Sequence, residues 1–339
     1  MVIFSEQFGT LINSGIPIIR SLELLSKQTT NVRLKRVIAD VSREVEKGTL
    51  LSKALARYPD VFSRFYTDLV KAGEISGKFD EILLRLAYYL DKRQALRQAI
   101  KSAFTYPVIV LVISFVAVSF LLGYVVPIFN EVYSKMSMEL PLVTVVLIKI
   151  SEIFGAYWKH IFLIIILTGL SYPYLSKKTS IRRFIDSAKI NMPLFGKLYR
   201  EIIMTRFART LATLTSSGIP ILKSLRLLSE TGENLIFNQI LKDIYQQIRD
   251  GASMSESIAV YSIFPPIVVQ MVATAEETGR LEEMMNKAAD FMERSTDHTV
   301  KRLVVMIEPL LTVALGFIVF FIALSIYLPI FDLIKMAKK

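Results

Sequence analysis

The chain has 339 residues, of which 53% are hydrophobic and 21% are charged, and its formal net charge is +11. This mixture is typical of polar domains joined by membrane segments. The positive charge gathers beside the apolar segments, which favours a membrane protein over one that binds nucleic acid. The absence of cysteine excludes disulfides and thiolate metal sites. The first long apolar run begins far from Met1, so we expect no cleavable signal peptide.

Two segments of the chain are nearly the same sequence. Thr10 to Ser26 reads TLINSGIPIIRSLELLS, and Thr213 to Ser229 reads TLTSSGIPILKSLRLLS. Twelve of these seventeen positions are identical, so the chain is an internal duplication with an offset of 203. After one deletion the offset becomes 202, and Pro107, Pro127 and Phe129 match Pro309, Pro329 and Phe331. The repeated unit therefore includes an apolar segment.

The periodicity within each copy predicts helices throughout. Asn31 and Asn234 are expected N-caps of amphipathic helices that end at Gly48 and Gly251. The Ser-Gly-Ile-Pro motif predicts a helix stop and restart rather than a ligand site. Its corner residues are Gly15, Pro17, Gly218 and Pro220. No alternating strand pattern occurs, so we predict an all-α protein with about six short helices in each copy, the last running into the membrane.

A second motif recurs as AGEISGKFDE, from Ala72 to Glu81, and as TAEETGRLEE, from Thr274 to Glu283. One interpretation is a loop and a helix start, with Gly77 and Gly279 near the N-cap. The acidic pairs Asp80 with Glu81 and Glu282 with Glu283 would then lie in the positive first turn. The alternative is an acidic surface that binds a partner, because a cap leaves Glu74 and Glu276 unexplained. The sequence leaves both interpretations open.

Three segments are predicted to cross the membrane: Phe104–Phe129, Ile161–Ser176 and Pro309–Phe331. A shorter apolar stretch, Leu140–Ile148, is expected to be an interfacial or packed helix rather than a span. Basic residues flank the first two spans on the sides of the repeats, which predicts that both copies are cytoplasmic. The predicted organisation is repeat 1 at 1–100, a span at 104–129, an external or interfacial segment at 130–159, a span at 160–176, repeat 2 at 177–302 and a span at 308–331.

Pro107 and Pro309 occupy matching places where the first and last spans open, which predicts a matched kink or helix start at the cytoplasmic boundary. Glu308 directly precedes Pro309. We expect it to be interfacial, with pairing to Lys101 as the alternative.

The chain lacks the patterns of common active sites. No phosphate-binding loop has the required glycine spacing, and His160 and His298 are 138 positions apart. No HExxH or nucleophile elbow is present. We therefore predict no enzymatic activity, no cofactor and no catalytic or metal site.

The chain resembles the GspF/PilC family in three motifs and in the duplication of all three. The motifs are the opening LxxSGIPI…SLxLLS, the later GExSG(K/R)(F/L)DE, and a span that begins Tyr-Pro or Glu-Pro. The resemblance covers about Phe4 to Phe331. It implies two cytoplasmic helical domains, three spans and self-association in the bacterial inner membrane, at the centre of a type IV pilus, type II secretion or competence machine. It also implies partners: a cytoplasmic ATPase, pilins or pseudopilins, and other inner-membrane assembly proteins.

Two features depart from the family pattern. The chain has few residues before the first repeat, and Ala275 stands where the first copy has Gly73. The second departure predicts that the two copies are not equivalent as binding surfaces. The alternative function is a membrane transporter built on an internal repeat, although the polar copies are large and the spans carry few polar groups.

Overall fold

The computed structural model describes residues 1–135, 141–175, 179–193, 195–232 and 234–337. Within these ranges the regular structure is helical and contains no strand, which confirms the all-α prediction. The helices are α1 (Val2–Asn13), α2 (Ile18–Gln28), α3 (Val32–Glu46), α4 (Leu51–Ala56), α5 (Arg64–Ser76), α6 (Phe79–Phe120), a π-helical turn (Leu121–Val125), α7 (Val126–Lys135), α8 (Leu142–Leu175), α9 (Thr179–Asn191), α10 (Phe195–Ser216), α11 (Ile221–Thr231), α12 (Leu235–Arg249), α13 (Met254–Ala259), α14 (Pro266–Thr278) and α15 (Leu281–Ala337).

The chain forms two compact units. Unit 1 contains residues 1–99 and 183–299, and unit 2 contains residues 100–182 and 300–339. The polar parts of both copies therefore belong to one unit, although more than eighty residues separate them in the sequence.

The two copies in unit 1 have matching helix boundaries. α2 to α5 begin and end at positions equivalent to α11 to α14, and α6 begins at the position equivalent to the start of α15. The predicted N-caps are confirmed: the Asn31 side chain accepts a hydrogen bond from Leu34 N at 3.0 Å. Asn234 accepts from the backbone N–H groups of the next helix in the same way. These caps satisfy donors that the first helical turn leaves without partners.

One hydrophobic core runs through both copies of unit 1. Copy 1 contributes an aromatic group in which Phe8 stacks on Phe4 and Phe4 meets the edge of Phe62. Copy 2 has its own group, in which Phe207 contacts Phe237 and Phe264. All these rings are buried, and full burial of such a side chain contributes about 1.5–3 kcal/mol.

α9 and the first turns of α10 precede the second copy. The Asp186 side chain of α9 is buried, and its carboxylate accepts a hydrogen bond from Leu235 N at 3.0 Å. Asn234 also donates to the backbone oxygen of Asp186 at 3.3 Å. α9 therefore completes the N-terminus of α12, a contact that the sequence analysis did not predict.

In unit 2, α8 is one continuous helix of 34 residues. The stretch predicted to be an interfacial or packed helix, Leu140–Ile148, lies largely within α8, which continues without a break from Leu142 past Lys149 and Glu152. Leu147 is buried, as a packed segment requires. The predicted span 160–176 lies in the second half of α8, while Leu140, Ser176 and the start of the predicted repeat 2 domain at 177–178 lie outside the described residues.

Two described helical segments, Phe79–Val132 and Leu281–Phe331, are long and apolar enough to cross a bilayer. Only 6% and 11% of their most apolar windows are buried in the protein. A helix in the core of a soluble protein would bury most of that window, so these exposed apolar surfaces suit contact with lipid.

Candidate functional site

The Ser-Gly-Ile-Pro motif forms a corner that is closed by its own residues. Gly15 has φ 81° and Gly218 has φ 75°, a left-handed conformation that glycine adopts without steric cost. Pro17 and Pro220 are the N-caps of α2 and α11. The hydroxyl of the buried Ser21 donates to the Ile16 carbonyl at 3.4 Å, and the equivalent contact of Ser224 with Ile219 measures 3.3 Å. The recurrence of the motif thus has a structural explanation.

Glu74 and Glu276 lie at the C-terminal ends of α5 and α14 and cap neighbouring short helices. The Glu74 carboxylate accepts a hydrogen bond from Ser52 N, at 3.2 Å, and another from the Ser52 hydroxyl. Glu276 accepts from Met254 N, from Ser255 N at 3.1 Å and from the Ser255 hydroxyl. The sequence analysis found no structural role for these two acids, and the structure provides one in each copy.

We expect removal of either cap to weaken its copy. Glu74→Ala and Glu276→Ala each leave the start of a short helix without its acceptor, which should lower the free energy of unfolding by about 1 kcal/mol. Thermal unfolding of the full chain in detergent measures the effect. Glu277→Ala is the matched control, since Glu277 is exposed and adjacent to Glu276. Equal stability of all three variants and the parent would contradict the capping role.

Gly77 and Gly279 end α5 and α14 with φ values of 71° and 70°. α6 and α15 begin two residues later. Their first turns hold the acidic pairs Asp80 with Glu81 and Glu282 with Glu283, as the helix-start interpretation predicted. These side chains are exposed near the positive end of a helix dipole, where acidic residues stabilise the start of a helix.

Arg85 joins the acidic pairs of the two copies. Its guanidinium donates to Glu81 at 2.6 Å and to Glu282 at 2.8 Å. The hydrogen bond from Arg85 lowers the pKa of Glu81, and the hydrogen bond from Lys287 lowers the pKa of Glu283. Burial lowers the pKa of Arg85, but its bonds to Glu81 and Glu282 outweigh burial and leave that pKa raised. The lowered pKa values keep Glu81 and Glu283 ionised at neutral pH.

A second polar cluster is centred on Arg209 of α10, whose ionic partners all lie on α15 of the same copy. Its guanidinium, with only 6% of the side chain exposed, binds Glu293 at 3.0 Å, Asn286 at 3.3 Å and also Asp290. It also lies 5.8 Å from the ring centroid of Tyr88 in copy 1. Nearby, Thr210 donates to the Tyr89 hydroxyl at 3.2 Å. Tyr88 and Tyr89 belong to copy 1, so this set of contacts, which we call the Arg209 cluster, also reaches the other copy.

The difference between Gly73 and its repeat equivalent, Ala275, affects the packing inside each copy. A Cβ atom added to Gly73 would lie 3.1 Å from the Phe79 ring and 3.2 Å from the Phe79 Cα. In copy 2 the position equivalent to Phe79 is Leu281. Both Gly73 and Ala275 are buried, so this pair does not make the copies different as binding surfaces.

Pro107 lies inside α6 and Pro309 inside α15. The interpretation of these prolines as helix starts was wrong, because each helix begins more than twenty residues earlier. A matched kink remains as the other prediction. Glu308 is exposed in the described part of the protein, and no ion pair joins it to Lys101 there.

Within unit 2, hydroxyl groups of α8 bind two carbonyls that prolines leave without donors. Pro329 has no N–H for the Ser325 carbonyl four residues earlier, and the Thr144 hydroxyl donates to that oxygen at 2.7 Å. In the first copy the Val126 N–H bonds to Leu121, as in a π-helix, so the Leu122 carbonyl would need the N–H that Pro127 lacks. The Ser151 hydroxyl donates to Leu122 at 2.5 Å.

The comparison with protein families identifies both copies. The model of type II secretion system (T2SS) protein F matches residues 4–127 and again residues 207–329. The chain belongs to the T2SS protein F family. Each family match ends within one residue of Pro127 or Pro329, so the repeated unit of this family includes the apolar helix.

Relatives of this T2SS protein F family member include proteins from pilus and secretion machines. The chain is 38% identical to a type IV pilus assembly protein PilC from Thermus thermophilus, over 98% of this chain and 82% of that protein. It is 35% identical to PilC from Myxococcus xanthus, over 98% of this chain and 80% of that protein. It is 33% identical to the type II secretion system protein F of Pseudomonas aeruginosa, over 98% of this chain and 82% of that protein. The resemblance inferred from the motifs is confirmed.

The family motifs did not reveal Arg85, Arg209, Thr144 or Ser151 as structural partners. Arg85 could have been found from its spacing of four residues after Glu81, since such pairs meet on one helix face. Arg209 carries no such signal, because its repeat equivalent is Glu6. The role of Thr144 and Ser151 depends on carbonyls of other helices, to which proline gives no N–H donor. The sequence of α8 alone does not reveal them.

Proposed function

We propose that this chain is a non-enzymatic platform protein of the bacterial inner membrane that couples a cytoplasmic ATPase to the polymerisation of pilins or pseudopilins. The observation that carries the proposal is the double T2SS protein F match, together with relatives named for type IV pilus assembly and type II secretion. The chain has no nucleotide-binding motif of its own, so a partner must supply the energy. These relatives do not favour the alternative of a transporter.

The proposed topology has three spans with both copies in the cytoplasm. Both copies belong to unit 1, so the chain between them must cross the bilayer an even number of times. The apolar part of α6 and the second half of α8 supply two crossings, and the apolar part of α15 supplies the third. The basic flanks favour the cytoplasm for unit 1. The proposed domains are those predicted from the sequence, with copies at 1–100 and 177–302.

We propose that the exposed acidic turns of α6 and α15 form the surface that binds the ATPase. Arg85 binds Glu81 and Glu282 of these turns, and its hydrogen bond lowers the pKa of Glu81. Asp80 lies next to Glu81 in the first turn of α6. Glu283 lies next to them, and Gly77 and Gly279 set the turns that precede them. Glu74 and Glu276 are already bound to short helices, so changes there would disturb folding as well as binding.

Asp80 offers the cleanest test of this surface, because it is exposed and forms no ion pair in the described part of the chain. We expect Asp80→Lys to reduce co-purification of a cognate pilus or secretion ATPase about tenfold, since reversed charge at an interface opposes association. Glu6→Lys makes the same charge change on α1 and serves as the control. Normal ATPase recovery with Asp80→Lys would remove this surface from the proposal.

A further inference from the structure

α9 presents an apolar strip on the side that faces away from copy 2. On the inner side of the helix, the buried Asp186 carboxylate accepts a hydrogen bond from Leu235 N of α12 at 3.0 Å. Phe184 and Ala188 each lie two positions from Asp186, which places them on the opposite side of an α-helix. Phe184 is 76% exposed, and Ala188 is also exposed. α9 therefore packs on copy 2 with one side only.

Basic residues surround this strip. The segment 177–200 contains seven basic residues and one acidic residue, which is the buried Asp186. Arg183, next to Phe184, is exposed, and so are Lys197 and Arg200 at the start of α10. These three side chains form no ion pair within the part of the chain that the structure describes. Their charge is therefore available to a partner outside the protein.

A tight corner holds the start of α10 against the end of α9. A Cβ atom added to Gly196 would lie 2.5 Å from the Ile190 carbonyl oxygen, so the two backbones are in close contact. Met192, in the corner, is 54% exposed. We call the exposed residues of this region the α9 surface; they are Arg183, Phe184, Ala188, Met192, Lys197 and Arg200.

The α9 surface begins close to the end of α8. The second half of α8 exposes apolar side chains such as Ile164 and Leu167, as a helix in lipid does. From Leu175, the last residue of α8, to Thr179, the first of α9, the chain spans at most about 14 Å. The helix from Thr179 to Phe184 adds about 8 Å. Phe184 is therefore within about 22 Å of the point where the proposed span leaves the hydrocarbon.

We propose that the α9 surface binds the headgroups of anionic phospholipids, with the Phe184 ring inserted beside the acyl chains. A helix that combines an exposed apolar strip with unpaired basic residues is suited to the interface of a bilayer that carries negative charge. The lipid phosphates supply the anions that Arg183, Lys197 and Arg200 lack within the described protein. This inference rests on the proposed function only in treating the second half of α8 as a span.

Quenching by spin-labelled lipid tests the contact in the full-length chain. The chain has no cysteine of its own, so Ala188→Cys can carry a single bimane label. Nanodiscs contain phosphatidylcholine with a nitroxide high on its acyl chain, either alone or with phosphatidylglycerol. Quenching of the label should be about threefold stronger in the discs with phosphatidylglycerol, since each basic residue near an anionic surface strengthens the contact.

Asp250→Cys is the control position for the label. Asp250 is exposed and follows α12, whose 15 residues place it about 20 Å along that helix from the bond between Leu235 and Asp186. We expect its label to be weakly quenched in both kinds of disc.

Substitutions separate the charges from the aromatic ring. Arg183→Gln with Arg200→Gln should reduce quenching of the Ala188→Cys label to the level of neutral discs, because two charges are lost. Phe184→Ser should reduce it in both kinds of disc. Lys53→Gln with Lys78→Gln removes two exposed charges from copy 1 and should change nothing. All these residues except Phe184 are polar and all are exposed, so unchanged thermal unfolding shows that each variant is folded.

Three results would overturn the lipid contact. They are quenching at Ala188→Cys no stronger than at Asp250→Cys, equal quenching in neutral and anionic discs, and unchanged quenching after Arg183→Gln with Arg200→Gln. The discs offer the same lipids on both faces, so the result does not depend on which compartment contains unit 1. The platform function is measured separately, through ATPase co-purification with Asp80→Lys, so either proposal can fail while the other stands.

Discussion

Arg209→Met should lower the free energy of unfolding by about 3 kcal/mol. The substitution keeps most of the side-chain volume but removes the charge that Glu293 and Asp290 share. Glu293 is only 19% exposed, so its largely desolvated carboxylate would keep only Lys92, at 3.5 Å, as an ionic partner. Asp290 is 47% exposed, so water can solvate its carboxylate after the arginine is removed. The expected loss of unfolding free energy is therefore at the lower end of the range for breaking a buried ion pair.

Pulse proteolysis of the full chain in detergent, across a urea series, measures the loss. Glu6→Ala is the matched control, because Glu6 is the repeat equivalent of Arg209 and lies exposed on α1. We expect the control to change the free energy of unfolding by less than about 0.5 kcal/mol. Arg209→Lys should fall between the two, since lysine keeps the charge but not the fork of donors. Similar stability of Arg209→Met and the control would contradict a stabilising role for the Arg209 cluster.

The combined substitution Thr144→Val and Ser151→Ala should lower stability by about 2 kcal/mol. Each change removes the donor to a buried carbonyl, that of Ser325 or Leu122, for which proline leaves no helical donor. Both hydroxyls are buried, with 3% exposure for Thr144 and 5% for Ser151, so water does not replace them readily. Unfolding of the purified chain in mixed micelles measures the effect.

Restoring the missing N–H separates this role from simple packing. In the Pro329→Ala background, the alanine N–H can bind the Ser325 carbonyl, so Thr144→Val should cost about 1 kcal/mol less than in the parent. Pro107→Ala is the control background. Within the described residues, no side-chain hydroxyl donates to the carbonyl of Ala103, four residues before Pro107. The same cost for Thr144→Val in all three backgrounds would show that the hydroxyl does not act through the proline.

The sequence was sufficient to predict the parts of the fold that depend on local chemistry. Asn31 and Asn234 were identified as caps because the donors they satisfy lie within three residues. The repeated glycines were identified because a left-handed helix end needs them. The family followed from the same repeated motifs.

The remaining features depend on residues that lie far apart in the sequence. Glu74 caps a helix 22 positions away, and Arg85 reaches Glu282 across 197 positions. No periodicity in one copy reveals such a partner. α8 was divided into two elements because Lys149 and Glu152 interrupt its hydropathy, although a helix can continue through charged residues on one face.

The central claim is that both copies of the duplicated module lie on the cytoplasmic side of one membrane. Single cysteines introduced at Arg36 and Gln239, which are exposed and repeat-equivalent, and at Lys159 can be labelled in whole cells with an impermeant maleimide. We predict that Lys159→Cys reacts in intact cells once the outer membrane is opened, whereas Arg36→Cys and Gln239→Cys react only after the inner membrane is permeabilised. Reaction of Arg36→Cys and Gln239→Cys from opposite sides would contradict the account.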